Sequence, residues 1–497
     1  MKKILIILFL FISLISEGAI YYVKDDGNNA LAGTSDATAW QTLSKVNTVT
    51  FLPGDFVYFK RGDTFRGYLQ IPSSGTAGNY ITYGAYGTGD KPKIWGAFDA
   101  SDQYAWEVYS GNVWVTTSAV QSYWLDAGNI IFNNEASWGV REKLLASLNA
   151  QGEWYIARGT GLVYMYSVGN PGLFYTHIEI GGYYSSEIIF AYGKDYIIIQ
   201  DLDVRYSGNN GILPREGSDH WIIERNDVSF IGGNETGVYP ANVRMGNGIG
   251  VWKDADDIII RYNVVWQCFD AGISPQGNNP YTQTNISIYY NVISLCYYNY
   301  EIWAEGTTVF NNISFYNNTC LDPGNQWSLS PVNQRWDAGT NARHFMGWRF
   351  DSSNTPTNID IINNIFQGNQ AGVAAIRAGA GEENLTFNNN CYYGVDIVGY
   401  TDDGTYNTLA QWQAGESQDA NSIDDNPLWV SFSDYRLRTG SPCINAGLSV
   451  GLTSDIEGTT ISGYPDMGVY EFTTVLQKII FQNNKVIYHN NKTVIDF

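Results

Sequence analysis

Short apolar runs closed by polar corners recur through the middle of the chain. Residues 197–204 read IIIQDLDV, 221–228 WIIERNDV, 257–264 DIIIRYNV and 285–292 NISIYYNV; fainter copies follow in TVFNNI, IDIINNI and LTFNNN. Each run is short, β-branched and without the Ala-Leu-Glu periodicity of a helix, so each predicts one brief strand. With Val204, Val228, Val264, Val292, Ile313 and Ile365 taken as equivalent, the intervals are 24, 36, 28, 21 and 52 residues. The shorter intervals suit single rungs of a solenoid, 36 a rung with an inserted loop, and 52 two rungs or one long excursion. One unit cannot bury its apolar face alone, whereas copies stacked about 4.8 Å apart share a continuous core.

The residue before each anchor is Asp203, Asp227, Asn263, Asn291, Asn312 or Asn364. A short side chain ending in an acceptor can satisfy amides at a tight corner and bond along a column. A competing reading makes Asp201, Asp203 and Asp227 a metal site, since their oxygens suit calcium. Two flanking stretches extend the pattern. YYVKDDGNNALAGTSDATAWQTLSKVN and LPGDFVYFKRGDTFRG lie near the start, and NPLWVSFSDYRLRTGSPCINAG and PDMGVYEF near the end. With the repeats, they resemble the secreted right-handed parallel β-helix proteins of the pectate-lyase-like superfamily over residues 20–472. The resemblance implies an all-β fold: a single-stranded right-handed parallel β-helix solenoid with an N-terminal cap and inserted loops. It specifies chemistry poorly, because such scaffolds host unrelated functions.

Residues 1–19, MKKILIILFLFISLISEGA, have the lysines, apolar run and small terminal residues of a signal peptide. The run of about thirteen apolar residues is short for a membrane span. Residues 473–497 resemble the beginning of a C-terminal sorting or attachment segment. The expectation is a secreted or cell-surface bacterial protein, monomeric and without a membrane span once mature.

The formal charge of -21 argues against nucleic acid or an anionic membrane as partner. The five cysteines, Cys268, Cys296, Cys320, Cys391 and Cys443, form no CxxC pair, which removes a disulfide scaffold and a thiolate zinc cluster. Cys268 and Cys296 fall at similar places in neighbouring units, as stacked buried thiols or as a disulfide across rungs. The 36 Tyr and 16 Trp, by contrast, favour a sugar-binding surface.

Candidate chemistry follows from aligning NNGI (209–212), GNGI (246–249), DAGI (270–273), NYEI (299–302) and QAGV (370–373). The Ile or Val should point inward, and positions one and three before it, and one after, outward. Asp270, Glu301, Ser274 and Trp303 then share an outer wall. The two acids fall in successive rungs, two positions apart, with Cα atoms about 8 Å apart. That is compatible with either glycosidase carboxyl separation, about 5–5.5 Å or about 6.5–9.5 Å. Trp252, Lys253, Gln276, Glu305, Arg215 and Glu216 form the next stripe, and loops 231–247 and 318–358 rise beside it.

The leading expectation is hydrolysis of glycosidic bonds in an extracellular polysaccharide or oligosaccharide. Glu301 or Glu305 protonates the leaving oxygen, Asp270 is nucleophile or base, and Glu216 is the reserve acid. Trp252, Lys253, Trp303, Gln276, Arg215, Arg244, Trp336 and His344 are the candidate substrate-binding residues, and no cofactor is required. One alternative is a polysaccharide lyase acting on uronate chains. In the lyases it would resemble, Lys or Arg serves as base, often with calcium held by acids; Arg205, Arg215, Arg225, Arg244, Lys253 and Arg261 are available. The other is a noncatalytic carbohydrate-binding surface protein.

Overall fold

The computed structural model describes residues 18–120, 126–182, 187–234, 244–278, 280–325, 327, 341–348, 356–369, 373–378, 384–431 and 433–473, with three short strands between 480 and 496. Residues 1–17, most of the signal peptide expected at 1–19, and Trp336 lie outside the described residues. The chain visits three long sheets in turn. Ile197–Gln200 joins the first, Asp203–Arg205 the second and Asn210–Arg215 the third; Trp221–Glu224, Asp227–Ile231 and Ile249–Trp252 repeat the circuit. Successive strands pair in parallel within each sheet. The architecture is therefore the parallel β-helix that the sequence resemblance implies. Its core is a column of fully buried side chains, including Ile199, Val204, Ile212, Ile223, Val228 and Ile249. Among the described residues no helix is long and apolar enough to cross a membrane.

Register between rungs is fixed by a buried amide column at the corner between the first and second sheets. Asn226, Asn263, Asn291, Asn318, Asn364 and Asn390 stack in order, each amide donating to the next side-chain oxygen at 3.0–3.2 Å. Each next oxygen also accepts the preceding backbone N–H at 2.9–3.0 Å. Asn390 passes the column to Asp419, whose buried carboxylate also accepts from Tyr392, Trp412 and Ser422. The spacings along this column, beginning at Leu202, are 24, 37, 28, 27, 46 and 26 residues.

These values correct the repeat as read from sequence. Val204 and Val228 do pair, but their equivalents in later rungs are Val265, Ile293 and Cys320. The column members are accordingly Asn226 and Asn318, where Asp227 and Asn312 were expected, and Asp203 lies one residue beyond Leu202. The Asn-Asn and Asn-Asp pairs allow either residue to take the corner. Only the buried, hydrogen-bonded position distinguishes them.

A second departure is an inserted module between Lys93–Trp95 and Glu187–Tyr192. Residues 97–181 build two mainly antiparallel sheets of four and five described strands. They enclose their own core, with Trp106, Ile130, Trp154, Val163 and Ile178. The Asn129 amide ties the module to the coil by donating to the carbonyls of Ser207, Phe230 and Gly232. The coil then resumes as though uninterrupted, Asp203–Arg205 pairing directly with Lys93–Trp95. Cys268, Cys296 and Cys320 are buried free thiols, so no disulfide crosses these rungs.

Replacing Asn291 by Ala removes the acceptor of two buried Asn263 donors. Unpaired buried groups of this kind cost about 2–4 kcal/mol in total. Denaturant unfolding is expected to show that loss for Asn291→Ala and less than about 0.5 kcal/mol for the exposed Asn112→Ala. Equal shifts would contradict a register held by the amide column.

Candidate functional site

The third sheet carries the candidate chemistry. Ile212, Ile249, Ile273, Tyr300, Phe345 and Ile376 occupy one row across six strands, and all point into the core. Glu301, Met346 and Arg377 form the row just outside it. Two residues farther on lies a second outer row, Arg215, Trp252, Gln276, Trp303 and Trp348.

This register agrees with the sequence alignment from Ile212 to Ile273 and departs from it afterwards. Ile273 pairs with Tyr300, not Ile302, because Tyr300 fills the inward position and stacks on Phe315 at 4.2 Å. Likewise Ile376, not Val373, continues the row. A slip of two preserves the face, so Glu301 stays on the outer side. It nevertheless moves Asp270 away from Glu301. Asp270 is level with Tyr297, whose N–H donates to the Asp270 carbonyl at 3.0 Å. Four residues separate Tyr297 from Glu301, about 13 Å along a strand.

Glu301 is outward but not solvated, being 3% exposed. Its Oε2 accepts from Ser274 Oγ at 2.9 Å and from Gln276 Nε2 at 2.8 Å. The Trp348 side chain lies close enough to act on the carboxyl in the same direction. These donors favour the anion, yet burial outweighs them and lifts the pKa from 4.5 to about 7. The Ser274 and Gln276 donors both converge on Oε2 and make no bond to Oε1.

Asp270 is also buried, in the corner before Ala271–Asn278. Beside it the Arg244 guanidinium bonds the Phe269 carbonyl and lies over the rings of Phe269 and Tyr297, at 3.8 and 3.6 Å. Tyr298 links the two acids electrostatically. Burial first, then Tyr297, Glu301 and Asp270, push its hydroxyl pKa well above the usual value.

The remaining candidates separate. Trp252 and Trp303 stack at 6.1 Å across Gln276, giving a half-buried aromatic platform beside Glu301. Glu305 closes the same strand, level with Asn278 and two residues past Trp303. Glu216 belongs to a different cluster, with Lys253 Nζ at 2.9 Å and Arg215 at 3.5 Å. The Lys253 hydrogen bond holds its pKa below the ordinary glutamate range, the reverse of what a reserve acid needs. Arg215 is further paired with buried Glu187 at 2.7 Å.

His344 is a correction. It is fully buried, one residue before inward-facing Phe345, between Asn299 and the Gly368 carbonyl, and burial lowers its pKa to about 4. It cannot touch a ligand on the outer wall. It was expected in the excursion at 318–358 and instead belongs to the strand Arg343–Trp348 of the third sheet. At the level of Asn299 and His344, a Cβ on Gly272 would meet Ile293 and Cys296, which shows the column facing inward.

Asp201, Asp203 and Asp227 do not converge as metal ligands. Asp203 accepts from Arg205 at 2.5 Å, Asp227 pairs with Lys91 at 2.8 Å, and Asp201 lies near Arg61 and Arg225. Among the described residues, the group with ligand atoms close enough for an ion is Asp99, His177 and Glu179. Arg66 already bonds Glu179 through both carboxylate oxygens and reaches Asp99 at 3.2 Å. The donor set is thus taken by a guanidinium. A separate cleft of about 570 Å³ lies between coil and inserted module, lined in part by Arg61, Lys93, Trp95, Glu135, His177 and Arg205. It opens on the second sheet, and Glu301 is not among its lining residues. Sequence reading also missed Tyr298 and Arg343, which gain meaning only from cross-strand pairing.

No family model matches the chain. Over 104 residues the chain is 38% identical to a lacto-N-biosidase of Bifidobacterium longum subsp. longum, covering 20% of this chain but only 6% of that protein. Among solved structures, XylC in complex with xylose is similar at 12% identity over 91% of this chain and 98% of that one, with a TM-score of 0.47. A GH136 lacto-N-biosidase from Eubacterium ramulus is 13% identical over 78% of this chain and 66% of its own, with a TM-score of 0.36. Pectate lyase Pel9A is 14% identical over 91% and 96%, with a TM-score of 0.41.

The raised pKa of Glu301 sets a sign for stability. Between pH 4.5 and about 7 the folded state holds a proton that the unfolded state has lost. The contribution is therefore complete below the unfolded value and is lost as pH rises through about 7, a change of roughly 3 kcal/mol. Unfolding free energies measured across this window should fall more steeply for the natural protein than for Glu301→Gln. Parallel profiles would contradict the assignment.

Proposed function

We propose that this protein hydrolyses glycosidic bonds of an extracellular polysaccharide or oligosaccharide, with Glu301 as general acid. The observation that carries this reading is a buried carboxylic acid, oriented by Ser274 and Gln276, beside the Trp252–Trp303 platform. A pKa of about 7 allows Glu301 to keep its proton at neutral pH and release it to a leaving oxygen. Sugar faces stack on the exposed parts of Trp252, Trp303 and Trp348, while Glu301 offers its proton to the bond between two units. Identity with a lacto-N-biosidase over a short segment also supports a carbohydrate substrate.

Asp270 is the second carboxylate. Its four-residue offset from Glu301 makes the Cα atoms about 14 Å apart, too wide for direct attack by a neighbouring nucleophile and suited to an intervening water. In this mechanism Asp270 takes a proton from water, the water oxygen bonds the anomeric carbon, and the glycosidic bond breaks as Glu301 protonates its oxygen. The products carry an inverted anomeric centre.

A panel of neutral and acidic glycans is expected to yield new reducing ends without unsaturated products. Glu301→Gln should lower kcat by about 10²–10⁴, and the natural enzyme's rate should decline as pH rises through about 7, where the acid loses its proton. Glu216→Gln should leave the rate nearly unchanged. Unsaturated products, or full activity of Glu301→Gln, would contradict the mechanism.

A further inference from the structure

Two arginines on the strands that follow that of Glu301 in the third sheet lack, among the described residues, the partners found elsewhere. Arg343 is level with Tyr298, on the strand next to that of Glu301, and is 4% exposed. Its Nε and one terminal nitrogen donate to Asn341 at 2.9 and 3.2 Å, while Nη1 is buried without a hydrogen-bond partner. Arg377 is level with Met346, itself level with Glu301. The Arg377 guanidinium lies over the rings of Trp348 and Tyr400, at 5.5 and 5.3 Å. Neither arginine makes an ion pair among the described residues.

This contrasts with the rest of the chain. There are 49 Asp and Glu against 28 Lys and Arg, so acidic partners are plentiful. Other partly buried arginines have found them: Arg141 pairs with Asp126 at 2.7 Å, Arg205 with Asp203 at 2.5 Å and Arg261 with Glu224 at 2.6 Å. At Arg343 the neighbouring charge is instead a second guanidinium. Burial, and with it Arg377, pushes the Arg343 pKa down to about 10, against the opposing influence of Tyr298. A desolvated cation with a spare donor is unfavourable unless a bound anion supplies the missing acceptor. Guanidinium groups match the planar oxygens of carboxylate and sulfate with paired N–H donors.

We propose that Arg343 and Arg377 form an oxyanion subsite, selecting a saccharide that bears a carboxylate or sulfate next to the bond presented to Glu301. Trp348 joins the two parts of the site, since it sits near enough to influence Glu301 and its ring carries Arg377. The placement relative to cleavage rests on the reading of Glu301 as acid; the anion preference does not.

Calorimetric binding to full-length Glu301→Gln protein, which prevents turnover, tests the subsite. The probes are uronate-containing, sulfated and neutral oligosaccharides of matched length and linkage. At least one anionic series is expected to bind tenfold or more tightly than its neutral counterpart, with the preference shrinking as salt is added. Which series binds separates a uronate from a sulfate ester. Adding Arg377→Ala should remove the preference while retaining affinity for the neutral sugar; Arg343→Met provides a second probe that keeps the aliphatic bulk. Failure of every anionic glycan to bind, or a preference unchanged in both variants, would overturn the proposal. Product analysis with the natural protein separates the two ideas: an anionic glycan bound but not hydrolysed defeats only the hydrolase reading, whereas neutral glycans hydrolysed without an anion preference defeat only the subsite.

Discussion

Stacked parallel rungs have no local rule that fixes which residue meets which, and slippage by even one position would turn every side chain to the opposite face. The amide column from Asn226 to Asn390 supplies the missing rule. Each side chain satisfies its own rung and the next, and a shift in register would strand several buried donors together. Asp419 ends the column with a carboxylate that accepts four side-chain donors, so the last amide is not left open. Because the column is continuous, rungs of 24 and 46 residues can coexist.

The site is a consequence of that register. Ser274 and Gln276 belong to one strand and Glu301 to the next, and only the observed pairing places both donors on a single carboxyl oxygen. The adjacent strand contributes Trp348, and the one beyond it Arg377. Packing from these neighbours removes Glu301 from water, and it is this desolvation, resisted by the hydrogen bonds, that retains the proton. An acid on the same outward row but open to solvent would have the same hydrogen-bonding alphabet and no such function.

The fold was largely legible in the sequence because short Ile- and Val-rich strands closed by Asn and Gly leave few alternatives to a parallel coil. Glu301, Ser274, Gln276 and the Trp252–Trp303 pair could be placed on one face because alternation survives a slip of two residues. Distances did not survive it. Tyr300 replaces the aliphatic residue used to align the rungs, so an alignment on Ile302 brings Asp270 and Glu301 closer than the structure allows. His344 was misplaced because it was assigned to the excursion at 318–358, whereas it lies buried on a strand of the third sheet. The module at 97–181 left no signal in the repeat, since its strands share the apolar and aromatic composition of the coil. Arg343 and Arg377 were silent for another reason: that neither makes an ion pair among the described residues is visible only once the strands are paired.

Infrared difference spectroscopy on the folded protein tests most directly whether rung-to-rung packing keeps Glu301 protonated. A carboxylic-acid carbonyl band, absent from Glu301→Gln, should titrate away with a midpoint near pH 7. A midpoint near 4.5, the value for a solvated glutamate, would show that neighbouring rungs do not enclose this side chain as described.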